Sequence, residues 1–134
     1  MLAWLQRVGL DMTGLCDLTT EAMAARNAVL APLELNNGVK YQTWGGQSTF
    51  WSTFAILKPS YLLLKHHYNE PLNDGLVPLW SARWRPEYFQ GMLPWDHLSQ
   101  IGWWTPSRLA VGDVSPRQFG RDVRDFYIRI AQAS

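Results

Sequence analysis

The pattern of apolar and polar residues predicts two helices near the beginning of the chain and a strand after them. Apolar positions follow one helical face loosely over residues 3–13. A second helix is expected over residues 20–29, and it should stop before Pro32, which lacks the N–H that a continuing helix needs. Apolar and polar residues then alternate at 39–44, after a turn signal, which predicts a strand there.

The middle of the chain is predicted to be mostly helical, with one further strand. Residues 50–68 are rich in Leu, Phe and Tyr without regular alternation, which predicts a buried helical segment bent near Pro59. A strand at 61–64 is the alternative for part of this segment. Residues 77–84 are expected to form a helix after a turn, and residues 88–93 to form a short strand.

The final helix is the clearest element of the pattern. Ser115 should cap it, Pro116 suits its first position, and Gln118 completes a capping box. An apolar stripe then recurs at helical spacing, formed by Phe119, Val123, Phe126, Tyr127 and Ile130. A helix with one apolar face buries that face, so we expect this helix to pack against a sheet.

Length and composition favour a single domain that must bury, or cover with a partner, more apolar surface than usual. A chain of 134 residues is long enough for a single domain with its own core. Charged residues make up 17% and aromatic residues 13%, including eight tryptophans, so much apolar surface must be buried or covered by a partner. The net charge of +1 gives no electrostatic case for nucleic acid or an anionic membrane as that partner.

The sequence contains no segment that predicts export or membrane insertion. Arg7 and Asp11 interrupt its apolar beginning before a stretch of signal-peptide length accumulates. No uninterrupted apolar run approaches the roughly 18 residues of a membrane span. Cys16 has no second cysteine to pair with in this sequence, so it is expected to be a small buried apolar group. These observations leave the compartment undetermined.

Two loop sequences supply a carboxylate and an imidazole. They are N-D-G-L-V at 73–77, with Asp74, and W-D-H-L at 95–98, with His97. A hydrolytic triad needs a His base, an Asp that orients it and a Ser on a tight, glycine-flanked turn. Taken alone, Asp74 is typical of a turn residue and His97 of a polar residue at a helix start. The pairing of the two motifs favours the triad interpretation, and Asp96 is expected to have a loop or capping role.

The serine of such a triad is not evident in this sequence. The eight serines are Ser48, Ser52, Ser60, Ser81, Ser99, Ser107, Ser115 and Ser134. None stands in G-x-S-x-G, the elbow that exposes a nucleophilic serine. Ser48 comes nearest, but Thr49 occupies the place of the second glycine, and too few residues separate Ser48 from Asp74 for the strand and helix between them. Ser48 is therefore expected to be a turn or helix-cap residue.

Four segments of the chain follow one another in an order known from one protein family. They are D-L-T-T-E-A-M at 17–23, followed by Asn27, then G-V-K-Y-Q-T-W-G-G at 38–46, N-D-G-L-V at 73–77 and D-H-L at 96–98. In this order they resemble the C-terminal half of the bacterial triacylglycerol lipases and related esterases of the α/β-hydrolase fold. The resemblance spans roughly residues 5–131.

The resemblance implies an α/β fold that is part of an α/β-hydrolase. It implies a single domain over 1–134, in which residues 1–35 are lid-like helices and residues 36–134 are the C-terminal part of the hydrolase core, with two to four strands. It implies Asp74 and His97 as catalytic residues and an acyl ester or lipid as substrate. Half a sheet leaves an unpaired edge, so we expect association with a missing N-terminal half or with a second copy. Members of the family are often secreted.

The chain departs from the family pattern in two respects. Calcium-binding members carry an acidic residue two places after the His, whereas this chain has Ser99, a poor ligand for calcium. We therefore expect no calcium site, and no other metal or cofactor is expected; His66 and His67 are adjacent and cannot share one helix face. The nucleophile elbow, the oxyanion-hole segment and the first strands of the sheet are also missing from the resemblance. The chain alone is thus expected to be inactive as an esterase.

Two non-catalytic alternatives remain open at this point. The chain could be a truncated hydrolase product that survives as a binding or scaffold protein. It could also be a tryptophan-rich interaction module that uses Trp95, Trp103 and Trp104 as exposed anchors. Burial of these tryptophans beneath the C-terminal helix is favoured over their exposure.

Overall fold

The computed structural model describes residues 20–35 and 37–133, and the chain divides into two compact units, Met1–Lys40 and Tyr41–Ser134. The described part of the first unit contains helix α1 (Thr20–Glu34). The prediction that this helix stops before Pro32 was wrong, because Pro32 lies inside it. A proline removes one hydrogen bond from a helix, and here it does so only in the last turn, two residues before the helix ends. The predicted helix at 3–13 and Cys16 lie outside the described residues.

The second unit contains a two-stranded parallel sheet. Strand β1 (Thr43–Gly46) pairs with β2 (Phe89–Leu93), with Trp44 opposite Gly91 and Gly46 opposite Leu93. The predicted strand at 88–93 is confirmed. The strand predicted at 39–44 begins later, at Thr43, because β1 is paired only where β2 faces it. Helices and a parallel sheet in one unit agree with an α/β class at this coarse level.

The connection between the two strands is helical but broken into short pieces. A 3₁₀ turn (Ala55–Leu57) leads into helix α2 (Lys58–Leu62) and a π-helical turn (Leu63–His67). Helix α3 (Leu79–Ala82) and a second 3₁₀ turn (Pro86–Tyr88) follow before β2. A parallel pair requires such a crossover, since a tight turn cannot return the chain in the same direction.

Four predictions for this connection need correction. The segment 50–68 is helical in part but not buried throughout, because Ile56 is 77% exposed and only a few of its side chains reach the core. Pro59 lies in the first turn of α2, where proline fits without bending the helix. The alternative strand at 61–64 was wrong, and the helix expected at 77–84 is limited to the four residues of α3.

The C-terminal part of the chain forms two short helices and one long one. These are α4 (His97–Gln100), α5 (Ser107–Ala110) and α6 (Pro116–Ala133). Helix α6 begins where it was predicted, with the Gln118 N–H donating to the Ser115 hydroxyl at 3.4 Å. The expected capping box is incomplete, because Gln118 Oε1, which would accept from the Ser115 N–H, accepts instead from Arg121 Nη2 at 2.5 Å. The Gln118 side-chain N–H donates to Asp122 at 2.6 Å, so the side chain is held towards the next turn of the helix rather than towards its start.

The core lies between α6 and the sheet. It consists of the buried side chains of Trp95, Phe119, Val123 and Phe126, with Trp44 and Leu93 packed against them. Trp44 meets Phe126 edge to face, with ring centroids 5.4 Å apart, and Trp95 does the same at 5.5 Å. The prediction that α6 packs against a sheet is confirmed, since Trp44 belongs to β1 and Leu93 to β2.

The tryptophans proposed as exposed anchors are mostly covered. Trp95 is 7% exposed within the core, and Trp104 packs against the core while its indole N–H donates to the Val114 carbonyl at 3.3 Å. Trp103 alone of the three is largely exposed, at 58%. The interaction-module alternative therefore loses two of its three anchors. Among the described helices, none has the length and apolar character needed to cross a membrane.

Candidate active site

The segment that carries Asp74 is a tight turn held by its own side chains. Asn73 is fully buried; its Oδ1 accepts from the Gly75 N–H at 2.9 Å and its Nδ2 donates to the Glu70 carbonyl at 2.8 Å. Gly75 has φ +93°, a left-handed conformation that residues with a Cβ rarely adopt. Across the turn, the Asp74 N–H donates to the Val77 carbonyl at 3.2 Å. The N-D-G sequence thus fixes the backbone from which the Asp74 side chain projects.

The Asp74 carboxylate accepts four hydrogen bonds and is 4% exposed. Its Oδ1 accepts from the N–H groups of Leu76 at 3.0 Å and Val77 at 2.7 Å. Its Oδ2 lies 2.9 Å from His97 Nδ1 and accepts from Gln100 Nε2 at 2.8 Å. Four donors fill the acceptor sites of an ionised carboxylate and leave none for a proton.

His97 lies at the start of α4, a position defined by Asp96. The Asp96 side chain caps α4 by accepting from the Ser99 N–H at 2.7 Å, and its other oxygen accepts from the Phe54 N–H at 2.6 Å. The capping role predicted for Asp96 is confirmed. The His97 N–H donates to the Asp74 carbonyl at 2.8 Å, so backbone and side chain both tie His97 to Asp74.

The two predicted site residues are brought together with one ring nitrogen left open. Because ionised Asp74 can only accept, the proton of the neutral imidazole belongs on Nδ1 and the lone pair on Nε2. The His97 side chain is 41% exposed, and its Nε2 forms no hydrogen bond with any residue that the structure describes. A base with a fixed tautomer and an accessible lone pair can take a proton from a hydroxyl group.

Gln100 belongs to the same site, although its role was not predicted from the sequence. It follows His97 by three residues on α4, so both side chains lie on one face of the helix and reach the same carboxylate oxygen. Its backbone carbonyl accepts from the Tyr127 hydroxyl of α6 at 2.8 Å. The spacing of an amide three residues after the His was the signal available in the sequence.

Gly46, at the end of β1, allows the site to close. A Cβ at this position would lie 2.3 Å from Gln100 Nε2, and 2.8 Å from both the Asp74 Cβ and the Trp95 carbonyl. No real side chain tolerates such distances, so only glycine lets β1 approach the Asp74 turn and α4 this closely. The end of β1 therefore lies directly against Asp74 and Gln100, where these two side chains meet.

The ionisation of the two groups follows from these contacts. Burial is the largest influence on Asp74 and favours its neutral form, but the hydrogen bonds from His97, Val77 and Leu76 together outweigh it and lower the pKa of Asp74. The pKa of His97 is raised, first by its hydrogen bond to Asp74; burial opposes this, and the negative charges of Asp74 and Asp96 add to it. The pair therefore favours a carboxylate beside an imidazole that protonates readily.

Ser48 takes part in a different network. Its hydroxyl is 2.7 Å from the Thr53 hydroxyl, which donates to the Thr49 carbonyl at 2.6 Å. Its N–H donates to the Asn73 carbonyl at 3.1 Å, and the residue is 8% exposed. These contacts give Ser48 the turn-stabilising role predicted for it.

A cavity of about 820 Å³ opens beside Ser48, at the carboxyl ends of β1 and β2. Its lining comes from residues 47–49, 51–52, 92–94 and 111–113. Neither Asp74 nor His97 lines this cavity. Within the described parts of the chain, no group of three or more His, Cys, Asp or Glu side chains converges in a way that could hold a metal ion.

Comparison with known proteins adds no relative from which a function could be transferred. No family model matches the chain, and neither does any curated protein or solved structure. The catalytic roles of Asp74 and His97 therefore remain predictions that rest on the chemistry of these side chains and their arrangement.

Proposed function

We propose that this chain is a C-terminal segment of a lipase- or esterase-like carboxylic ester hydrolase and supplies the Asp and His of a Ser–His–Asp triad. The observation that carries the proposal is the 2.9 Å contact between Asp74 Oδ2 and His97 Nδ1, with Nε2 of the ring accessible. An Asp and a His on separate loops, with the Asp buried and the His partly exposed, have the arrangement that such a triad requires.

In the proposed reaction, His97 acts as the base and then as the acid. Its Nε2 accepts the proton of a serine hydroxyl while the serine oxygen attacks the ester carbonyl. The tetrahedral intermediate collapses, and His97 returns the proton to the departing alkoxide, which leaves as the alcohol. A water molecule then repeats the sequence on the acyl-serine and releases the acid. Asp74 stays ionised throughout and stabilises the protonated ring.

The serine of this reaction belongs to another polypeptide segment in our proposal. No serine of the sequence stands in an elbow motif, and the Ser48 hydroxyl is engaged by Thr53 rather than by His97. Loss of a triad serine can lower turnover by about six orders of magnitude, so the isolated chain is expected to show no esterase activity. The acyl ester or lipid substrate follows from the family resemblance, as does the lid-like character proposed for residues 1–35.

A serine-directed fluorophosphonate probe tests this proposal. The isolated chain should not be labelled, whereas the chain combined with the polypeptide encoded immediately upstream should give labelling on a serine of that polypeptide. His97→Ala should abolish the labelling, because the serine then has no base within reach. His67→Ala is the matched control, since His67 is exposed on the π-helical turn and has no contact with Asp74.

Two results would contradict the proposal. Stoichiometric labelling of the isolated chain at Ser48, sensitive to His97→Ala, would show that the chain is a complete small hydrolase. Labelling of the combined polypeptides that is insensitive to His97→Ala would show that His97 is not the base. Absence of labelling in every combination would favour the non-catalytic alternative, a hydrolase product that retains the Asp–His pair without a nucleophile.

A further inference from the structure

Arg108 is a buried cation next to the segment that carries His97. It lies in α5, and only 2% of its side chain is exposed. Arginine is almost never buried to this degree without partners, because removing a charge from water is costly unless the charge is paired. Its position in the fold therefore requires an explanation beyond surface charge.

Two contacts fix the guanidinium group from one side. Arg108 Nη2 lies 2.5 Å from the Asp113 carboxylate, which belongs to the loop after α5. The guanidinium carbon lies 4.7 Å from the centre of the Phe119 ring on α6, within the range of a cation–π contact. Phe119 is 1% exposed and packs within the core cluster. The planar group is thus held in one place and orientation.

The other side of the guanidinium group faces the His97 segment. Nη2 donates to the Pro94 carbonyl at 3.4 Å, and Nη1 donates to the Ser99 hydroxyl at 3.3 Å. Pro94 and Ser99 stand at the beginning and the end of the segment 94–99, in which His97 lies. Nε has no hydrogen-bond partner among the described residues. The bonds from Nη1 and Nη2 to this segment are therefore among the few hydrogen bonds that the buried charge of Arg108 makes.

The guanidinium group of Arg108 connects Pro94 with Ser99, two residues that no described backbone hydrogen bond joins. Ser99 is fully buried, and its N–H is already used by the Asp96 cap. Its hydroxyl is therefore the group available to tie the first turn of α4 to α5. The planar group presents separate nitrogen atoms to the carbonyl of Pro94 and the hydroxyl of Ser99, whereas an ammonium group has a single nitrogen for both.

We propose that Arg108 is a positioning residue for His97: its guanidinium group, fixed by Asp113 and Phe119, holds both ends of the segment 94–99 and so keeps the imidazole beside Asp74. Arg108 touches neither the ring nor the proposed ester, and its effect passes through Pro94 and Ser99. The catalytic meaning of this role rests on the proposed function. The positioning itself can be measured on the isolated chain.

The test is the titration of His97 by NMR in the Arg108→Lys variant. Lysine keeps the positive charge, so a change in His97 reports the lost fork geometry rather than a changed field. We expect the pKa of His97 to fall towards its ordinary value of 6.5, because its hydrogen bond to Asp74 is loosened. We also expect the Nδ1 proton signal of His97 to weaken as that bond opens.

Two further variants make the test decisive. Val123→Ala lowers the stability of the same core without touching Arg108, and it should leave the pKa of His97 unchanged. Ser99→Ala removes a single hydroxyl partner and should produce a smaller fall in the pKa of His97; it decides the question if Arg108→Lys does not fold.

An unchanged pKa of His97 in folded Arg108→Lys and Ser99→Ala would overturn the proposal and leave Arg108 as a core residue only. An equal change in Val123→Ala would overturn it as well, because the site would then respond to stability in general. Neither outcome depends on a serine partner. Failure of the fluorophosphonate experiment with a successful titration would therefore reject the proposed function and keep the positioning role.

Discussion

Replacing Asp74 by Asn tests the central contact of the site with almost no change in shape. The amide oxygen of Asn can still accept from the N–H groups of Leu76 and Val77, which bind Oδ1 in the native protein. The amide nitrogen then faces His97 Nδ1 and Gln100 Nε2, both of which donate to Oδ2 in the native protein. The substitution therefore places a donor opposite two donors and removes the charge beside the ring.

The magnitude follows from how each donor can respond. His97 can move its proton from Nδ1 to Nε2 and accept from the new amide, which removes one conflict. Gln100 can turn its amide over so that Oε1 accepts from the new amide, which removes the second conflict. Where Gln100 keeps its native orientation, its buried donor has no partner and costs about 1–3 kcal/mol. We therefore expect Asp74→Asn to lower the free energy of unfolding by no more than about 1–3 kcal/mol.

The same tautomer change removes the lone pair from Nε2 of His97. In a complete triad this loss lowers turnover by about 10⁴-fold, and the combined system should show a fall of that order. In the isolated chain the variant lacks the hydrogen bond to the Asp74 carboxylate and the Asp74 charge, which both raise the pKa of His97, whereas burial remains and lowers that pKa more than the Asp96 charge raises it. We therefore expect that pKa to drop to 6.5 or lower.

An NMR titration of His97 measures this directly. The His97→Ala variant identifies the signal of His97 among those of the three histidines. If the pKa of His97 is the same in Asp74→Asn as in the native chain, the contact does not control the ring and the triad interpretation fails.

Four further results are expected. The Asp74–His97 pair should stabilise the fold fully between pH 3.8 and 6.5, the ordinary pKa values of the two groups. The Asp74 contribution to stability is lost as the pH falls through the lowered pKa of Asp74, and the His97 contribution is lost as the pH rises through the raised pKa of His97. Denaturation midpoints measured over a range of pH would show both losses. Gly46→Ala should lower the free energy of unfolding by about 1–3 kcal/mol in chemical denaturation, because the added methyl group overlaps the site. The control Gly120→Ala, in open space on α6, should raise it by about 0.5–1 kcal/mol. Equal effects of the two substitutions would contradict the close approach at β1. Phe119→Ala should lower the free energy of unfolding by about 3–5 kcal/mol, because Phe119 is buried. A loss smaller than that of a substitution at an exposed position would show that the core lies elsewhere. The chain should self-associate through the sheet edges that no described strand pairs with, and a compact monomer at high concentration in sedimentation would argue against this.

The sequence was sufficient where the signal is local chemistry. Ser115 and Pro116 identify the start of α6 because capping depends on a few adjacent residues. N-D-G identifies the Asp74 turn, since a glycine with positive φ must follow the aspartate there. Asp74 and His97 were paired through the order of motifs, and the structure brings them into contact. The hydrolase fold implied by the same motifs stays a prediction.

The sequence was insufficient where distant contacts decide. Pro32 stays inside α1 although local propensity opposes it, and Ile56 is exposed although the composition of its segment favours burial. Gln100 is marked in the sequence only by its spacing from His97, and Arg108 by no motif, because an amide and a guanidinium group become site residues only through the oxygen atoms they reach. Such partners are set by how α4, α5 and α6 pack, which no short pattern contains.

The hydrogen bond from Tyr127 to Gln100 links the motion of α6 to that of the site. The side chain of Gln100 donates to the Asp74 carboxylate. The N–H groups of Leu76 and Val77 also donate to this carboxylate, and not to a backbone carbonyl. Their exchange with solvent deuterium therefore reports each release of the carboxylate. Because α6 also carries the core, we expect these two amides to exchange in the same cooperative opening as the middle of α6.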